Sequence, residues 1–107
     1  MKRLAQVIRL HPDAIDEYER VHRDVPEAVL ATLRASHMTN YSIFRYGVLL
    51  VAYLEYAGED LESDLALIAA DPATRAWWRI TEPLQDPVPE RASGEWWHVI
   101  PEVFHLD

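Results

Sequence analysis

Tyr18 and His22 stand four residues apart in a stretch with helical character, so they project from nearly the same face, one turn apart. A neutral imidazole, with a reference pKa of about 6.5, gives or takes a proton near neutral pH, and a neighbouring phenol can hydrogen-bond a hydroxyl-rich ligand. Spacing alone favours the plainer alternative, a surface histidine beside a tyrosine anchored on the core. Trp77 and Trp78 are adjacent on an expected helix and hence about 100° apart, so both cannot point squarely into one core. Each couples a broad apolar face to one N–H donor, which suits the C–H face and hydroxyl rim of a sugar, though ordinary core packing fits as well. Tyr41, with Ile43 and Arg45 on the same side of an expected strand, could present its hydroxyl to a cavity or pack in a sheet core.

Other chemistries find less material. His11, His37, His98 and His105 form no H-x-x-x-H or H-E-x-x-H pattern, so no metal site is expected. The glycines Gly47, Gly58 and Gly94 cannot build a phosphate-binding loop. There is no cysteine, hence no disulfide framework and no thiolate chemistry. Eighteen acidic against 10 basic side chains give a net charge of -8, which repels phosphate backbones; neither nucleic acid nor an anionic membrane is an expected partner. Gln6 and Arg9 interrupt any apolar run of signal-peptide length, and no stretch approaches the roughly 20 apolar residues of a membrane span, so a cytoplasmic location is expected.

The elements that must position these side chains follow from periodicity. At 107 residues, half of them hydrophobic, the chain has material for a single domain with one packed core. Residues 3–10 read as a strand ending before Pro12. Asp13, Asp16 and Glu17 then occupy the first turns of a helix, where the dipole favours acids. Pro26 interrupts it. Asp24 with Glu27 resembles an N-cap box for a restart carrying Val29, Leu30 and Leu33, giving a broken helix over residues 12–35. Residues 40–45 and 48–56 are β-rich and flank Tyr46-Gly47, which suits a tight hairpin. Leu61, Leu65 and Ile68 return at helical spacing, and Asp71-Pro72 supplies a cap and first-turn proline for the helix carrying the two tryptophans. After a loop at 83–94, residues 96–106 resume a strand-like run broken by Pro101, which implies an edge position, a bulge or two short strands. Trp96 and Trp97, adjacent on this strand, would face opposite sides.

Strand, helix, strand, strand, helix, strand is the order of the ferredoxin-like α+β motif, with helices on one face of an antiparallel sheet. In the third strand Leu50, Ala52 and Leu54 oppose Leu49, Val51 and Tyr53, so both sheet faces should be covered, the second by another copy of the chain.

Tyr18-x3-His22 followed by Pro26-Glu27, then Asn40-Tyr41-Ser42-Ile43-Phe44, then Arg75-Ala76-Trp77-Trp78, and finally Glu102-Val103-Phe104-His105-Leu106 resemble the L-rhamnose mutarotases in order, spacing and total length. The resemblance implies a homodimeric ferredoxin-like αβ-barrel that interconverts the α and β anomers of L-rhamnose or a related aldose without cofactor or metal. By position it makes His22 the proton donor and places Tyr18, Tyr41, Trp77 and Trp78 against the sugar. Residues 23–27 lack the tryptophan that family members commonly place before this proline, and residues 94–98 are unusually aromatic. The fold would also host a cofactor-independent monooxygenase, and the aromatics alone would serve a noncatalytic carbohydrate-binding module.

Overall fold

A computed structural model describes all residues, 1–107. The first strand, β1 (Lys2–Leu10), leads through a 3-10 turn at Pro12–Ala14 into α1 (Ile15–Val21), a second 3-10 turn at His22–Asp24, and α2 (Glu27–Ala35). The break between the helices is Pro26. A proline disfavours helical backbone in the residue before it, and Val25 is accordingly extended at φ −69°, ψ 129°. The same constraint moves the restart past Asp24. The α2 N-cap is Pro26 itself, with no side-chain cap, so the expected Asp24 box does not form.

β2 (Met38–Tyr46) and β3 (Leu49–Tyr56) form the hairpin, and their pairing Tyr46↔Leu49 leaves Gly47-Val48 as the turn, one residue later than expected. Gly47 takes the positive φ of 58° that this first turn position needs. α3 (Leu61–Ala70) is capped by Asp60 accepting from the Ser63 N–H, and α4 (Pro72–Thr81) by Asp71 accepting from the Thr74 N–H at 2.9 Å. Two short strands close the sheet: β4 (Gln85–Asp86) and β5 (His98–Ile100).

The sheet order is β2-β3-β1-β4, all antiparallel, which is the ferredoxin-like arrangement expected. Its last position is divided. β4 pairs with Arg9 and Leu10, and β5 continues along the same strand at Ala5 to Val7, so residues 87–97 leave and rejoin a single fourth strand. The strand-like run at 96–106 is correspondingly shorter than its composition suggests. Trp96 and Trp97 lie in the loop, and Pro101, which cannot donate to a ladder, ends β5, leaving residues 101–107 exposed.

Directly paired residues share a sheet face. Leu4, Gln6, Ile8 and Leu10 of β1 therefore lie with Leu54, Ala52, Leu50 and the β3 turn on the helix side, where Ile8, Leu10, Leu50, Ala52, Leu54 and Tyr56 are buried. Leu49, Val51 and Tyr53 on the other face are only half-buried within one chain. In β2 one extra residue between Thr39 and Ser42 makes a bulge, with Asn40 at φ 47°. A bulge switches side-chain parity. Met38, which pairs with Tyr56, and Ile43, which pairs with Ala52, thereby both face the helices, and Tyr41 lies two residues before Ile43 on the same side.

Two core clusters result. Ile8, Leu10, Tyr18 and Leu50 form one, backed by Ile15, Leu84 and Trp97; Met38, Leu54, Tyr56 and Ile68 form the other. The second is stitched by polar bonds: the buried Tyr56 hydroxyl donates to Asp64, whose carboxylate also meets His37 Nδ1 at 3.0 Å. These bonds, Tyr56 first, hold the Asp64 carboxyl below the usual carboxylate range. A Cβ on Gly58 would come 2.6 Å from the Tyr56 ring and 2.8 Å from the Asp64 oxygen. Gly58→Ala is therefore expected to cost about 1–3 kcal/mol by overpacking a site that cannot yield without breaking the Tyr56–Asp64 bond. Urea unfolding checks this, and an unchanged midpoint would refute it.

Candidate active site

The end of α1 explains how His22 is held. The Tyr18 carbonyl accepts the last i→i+4 bond of α1 from the His22 backbone N–H and also meets His22 Nδ1 at 2.8 Å, so backbone and side chain of His22 converge on one oxygen. A carbonyl only accepts, so Nδ1 carries the proton and the other ring nitrogen, Nε2, keeps a free lone pair in the neutral ring. The half-buried imidazole stacks on the Tyr18 ring, centroids 4.1 Å apart and planes 30° apart, and receives Trp77 edge-on at 5.1 Å and 70°. Burial pushes the His22 pKa below its ordinary 6.5, outweighing the Tyr18 carbonyl, which raises it. At neutral pH the ring is thus chiefly a proton acceptor at Nε2.

Tyr18 is anchored in the first core cluster, and its pKa is pushed up to about 12, mainly by burial and further by the Tyr41 phenol, against a hydrogen bond from Gln85. Tyr41 is 38% exposed as a residue, yet its hydroxyl is tucked in beside Gln6 and burial raises its pKa as well. Both phenols stay protonated and act as hydrogen-bonding groups. On α4 the positions Thr74, Trp77, Trp78 and Thr81 share one stripe, with the two threonines buried. Trp77 meets His22. Trp78 is 36% exposed and takes no part in the aromatic stack.

The structure thus brings Tyr18, His22, Trp77 and Tyr41 together and leaves Trp78 at the margin. It adds two glutamines that residue type and spacing did not single out. Gln6 had a visible signal, a polar residue alternating with Leu4, Ile8 and Leu10. Gln85 had none, lying in a two-residue strand between Pro83 and Pro87. Around the site Arg45 pairs with Glu19. No three His, Asp or Glu side chains come together as metal ligands would. Two surface hollows, of 480 and 400 Å³, lie at residues 89–96 and around 57–64, and neither includes His22.

Residues 3–106 match the model of the L-rhamnose mutarotase family. The chain belongs to that family. An L-rhamnose mutarotase of Ligilactobacillus salivarius is 35% identical over 98% of this chain and 97% of its own length, and one of Lactiplantibacillus plantarum is 35% identical over the full length of both. The crystal structure of an L-rhamnose mutarotase from Formosa agariphila superposes with a TM-score of 0.78 over both whole chains at 19% identity. Tetracenomycin F2 cyclase of Streptomyces glaucescens, a polyketide cyclase, shares the fold at TM-score 0.65 and 16% identity, over 99% of this chain and 96% of that one. These two structural likenesses bear on the fold alone. With a mutarotase-family chain established, neither a monooxygenase nor a noncatalytic binding module is favoured.

Proposed function

We propose that this chain interconverts the α and β anomers of L-rhamnose at His22, by acid-base opening and closing of the pyranose ring. The observation that carries the reading is the oriented imidazole: Nδ1 tied to the Tyr18 carbonyl at 2.8 Å, Nε2 free, and aromatic rings on two sides. Opening requires that the anomeric hydroxyl lose a proton and the ring oxygen gain one while the C1–ring oxygen bond breaks. Neutral His22 takes the first proton. The resulting imidazolium is the proton donor when the aldehyde, turned about C1–C2, closes on its other face. Tyr18 and Tyr41 hydrogen-bond the sugar's oxygens, and a bound water supplies the ring-oxygen proton and takes it back on closure. Trp77 offers its apolar face to the C–H side of the ring, and Trp78 is placed at the outer edge of the same contact.

Saturation-transfer NMR on the anomeric protons tests this, with other aldoses in parallel. Accelerated exchange for L-rhamnose is expected; acceleration confined to another sugar would move the specificity, and none for any sugar would end the reading.

The working form is proposed to be a homodimer in the cytoplasm. Support for the dimer lies in uncovered apolar surface: Phe44 and Tyr46 on the outer sheet face are 63% and 83% exposed, and Val103, Phe104 and Leu106 of the tail 79–93%. Large apolar side chains left open on a sheet face and a tail are what a protein partner would cover. Sedimentation equilibrium should give twice the mass of one chain, and a single-chain mass at micromolar concentration would overturn the proposal. For the location, the chain offers an absence of cysteine and no helix long and apolar enough to cross a membrane.

A further inference from the structure

Packing alone does not fix where α1 lies across the sheet. The helix has seven residues and a 3-10 turn at each end, too short to hold itself, and it meets the sheet core through Ile15 and Tyr18. Apolar packing is non-directional. It sets how deep the helix sits and leaves its slide across the hairpin to bonds that have direction. One side-chain hydrogen bond joins α1 to the β2–β3 hairpin: Arg45 Nε donates to Glu19 Oε2 at 2.5 Å.

Both ends of that bond belong to elements that carry site residues. Glu19 follows Tyr18 directly and stands three positions before His22, one turn away along the same face. Arg45 lies on the helix side of β2, paired across the sheet to the buried Leu50 that packs with Tyr18, and Tyr41 is on the same side of the same strand. A second bond orients the guanidinium: Arg45 Nη1 donates to the Gly47 carbonyl of the hairpin turn at 3.0 Å, which fixes the plane in which Nε meets Glu19. The side chains of Arg45 and Glu19 are 34% and 43% exposed, so the pair adds little to stability. Its consequence is placement.

We propose that Arg45, seated on the Gly47 carbonyl and bonded to Glu19, is a positioning residue that holds Tyr18 and His22 of α1 at their working distance from Tyr41 of β2. The inference rests on the mutarotase reading of the His22 site and deepens it. A sugar in its resting form is bound by groups on either side of the site, whereas the bond-breaking step needs the His22 nitrogen and the phenols on one molecule at the same moment. A loosened α1 therefore costs rate more than affinity.

The test uses Arg45→Gln, which is uncharged and too short to hold both partners, Glu19→Ala, and the double variant, each assayed by anomer-exchange NMR on L-rhamnose and unfolded in urea. Each single substitution is expected to lower kcat about five-fold, the order of one exposed directed pair, with KM within about two-fold of the parent and the urea midpoint nearly unmoved. The double variant should lose no more than either single, because both remove the same bond. Losses that multiply in the double variant, a rise in KM at unchanged kcat, a loss of activity matched by a falling midpoint, or full activity in both singles overturns the proposal. A further readout needs no turnover: the His22 imidazole nitrogen signals should shift in Arg45→Gln, although no hydrogen bond joins Arg45 to that ring. Signals that stay in place overturn the positioning role. A parent protein that exchanges no sugar overturns the mutarotase reading instead, and the His22 signals then still decide whether Arg45 places the ring.

Discussion

His22→Ala should retain its fold and bind L-rhamnose yet exchange anomers about 10²–10⁴-fold more slowly than the parent, the usual worth of a positioned acid-base group. The fold is expected to survive because His22 belongs to neither core cluster and the Tyr18 carbonyl that its ring meets keeps the His22 backbone N–H as a donor. The catalytic loss follows from geometry: with Nδ1–H fixed on the Tyr18 carbonyl, Nε2 is the atom left to take the anomeric proton. The pH dependence has a definite sign. Burial lowers the His22 pKa, so the neutral form persists further into acid than in a free imidazole, and the parent's rate should fall on an acidic limb centred below 6.5. That limb should be missing in His22→Ala. A variant that folds, binds sugar and exchanges at the parental rate, or keeps the limb, would remove His22 from the chemistry.

Much of this architecture was legible because its causes are local. Pro26 ends one helix through a steric clash with its predecessor, Asp71-Pro72 caps and starts another, and Gly47 marks the hairpin through its positive φ. The four-residue spacing of Tyr18 and His22 put their rings one above the other, and the 100° between Trp77 and Trp78 let only one meet them. What spacing did not reveal depends on contacts between distant residues. β4 exists because Arg9 and Leu10 have a free edge for Asp86 and Gln85, and nothing within a dipeptide between prolines announces that. The aromatic run at Trp96-Trp97 has strand-like composition, yet β1 pairs only from His98 onward, and one tryptophan turns to the core while the other reaches Gln85. The bulge at Asn40 likewise trades one ladder position for a parity that seats Met38 in the core and points Tyr41 to the helix side. As for the outer sheet face, sequence alternation marks it apolar, and within the chain its Leu49, Val51 and Tyr53 are only half-buried.

The same coupling of core and site makes Leu50→Ala the substitution expected to cost most in stability. Leu50 is 1% exposed, one of the largest fully buried side chains, paired to Ile8 across the sheet and packed with Leu10 and Tyr18. Truncation removes its buried methyl groups and leaves a cavity whose rim is made by two strands unable to collapse into it, so about 2–5 kcal/mol should be lost. Leu67→Ala on α3, 61% exposed, is the control and should stay within about 0.5 kcal/mol of the parent. Urea unfolding of the three proteins measures both. Activity should fall in Leu50→Ala even where the protein is fully folded, because the cavity opens beneath the Tyr18 ring that stacks on His22 at 4.1 Å, and a ring free to drop inward no longer fixes the imidazole. An unfolding midpoint equal to that of Leu67→Ala would show that this cluster does not carry the core, and a folded Leu50→Ala with unchanged exchange would separate the packing of Tyr18 from the placement of His22.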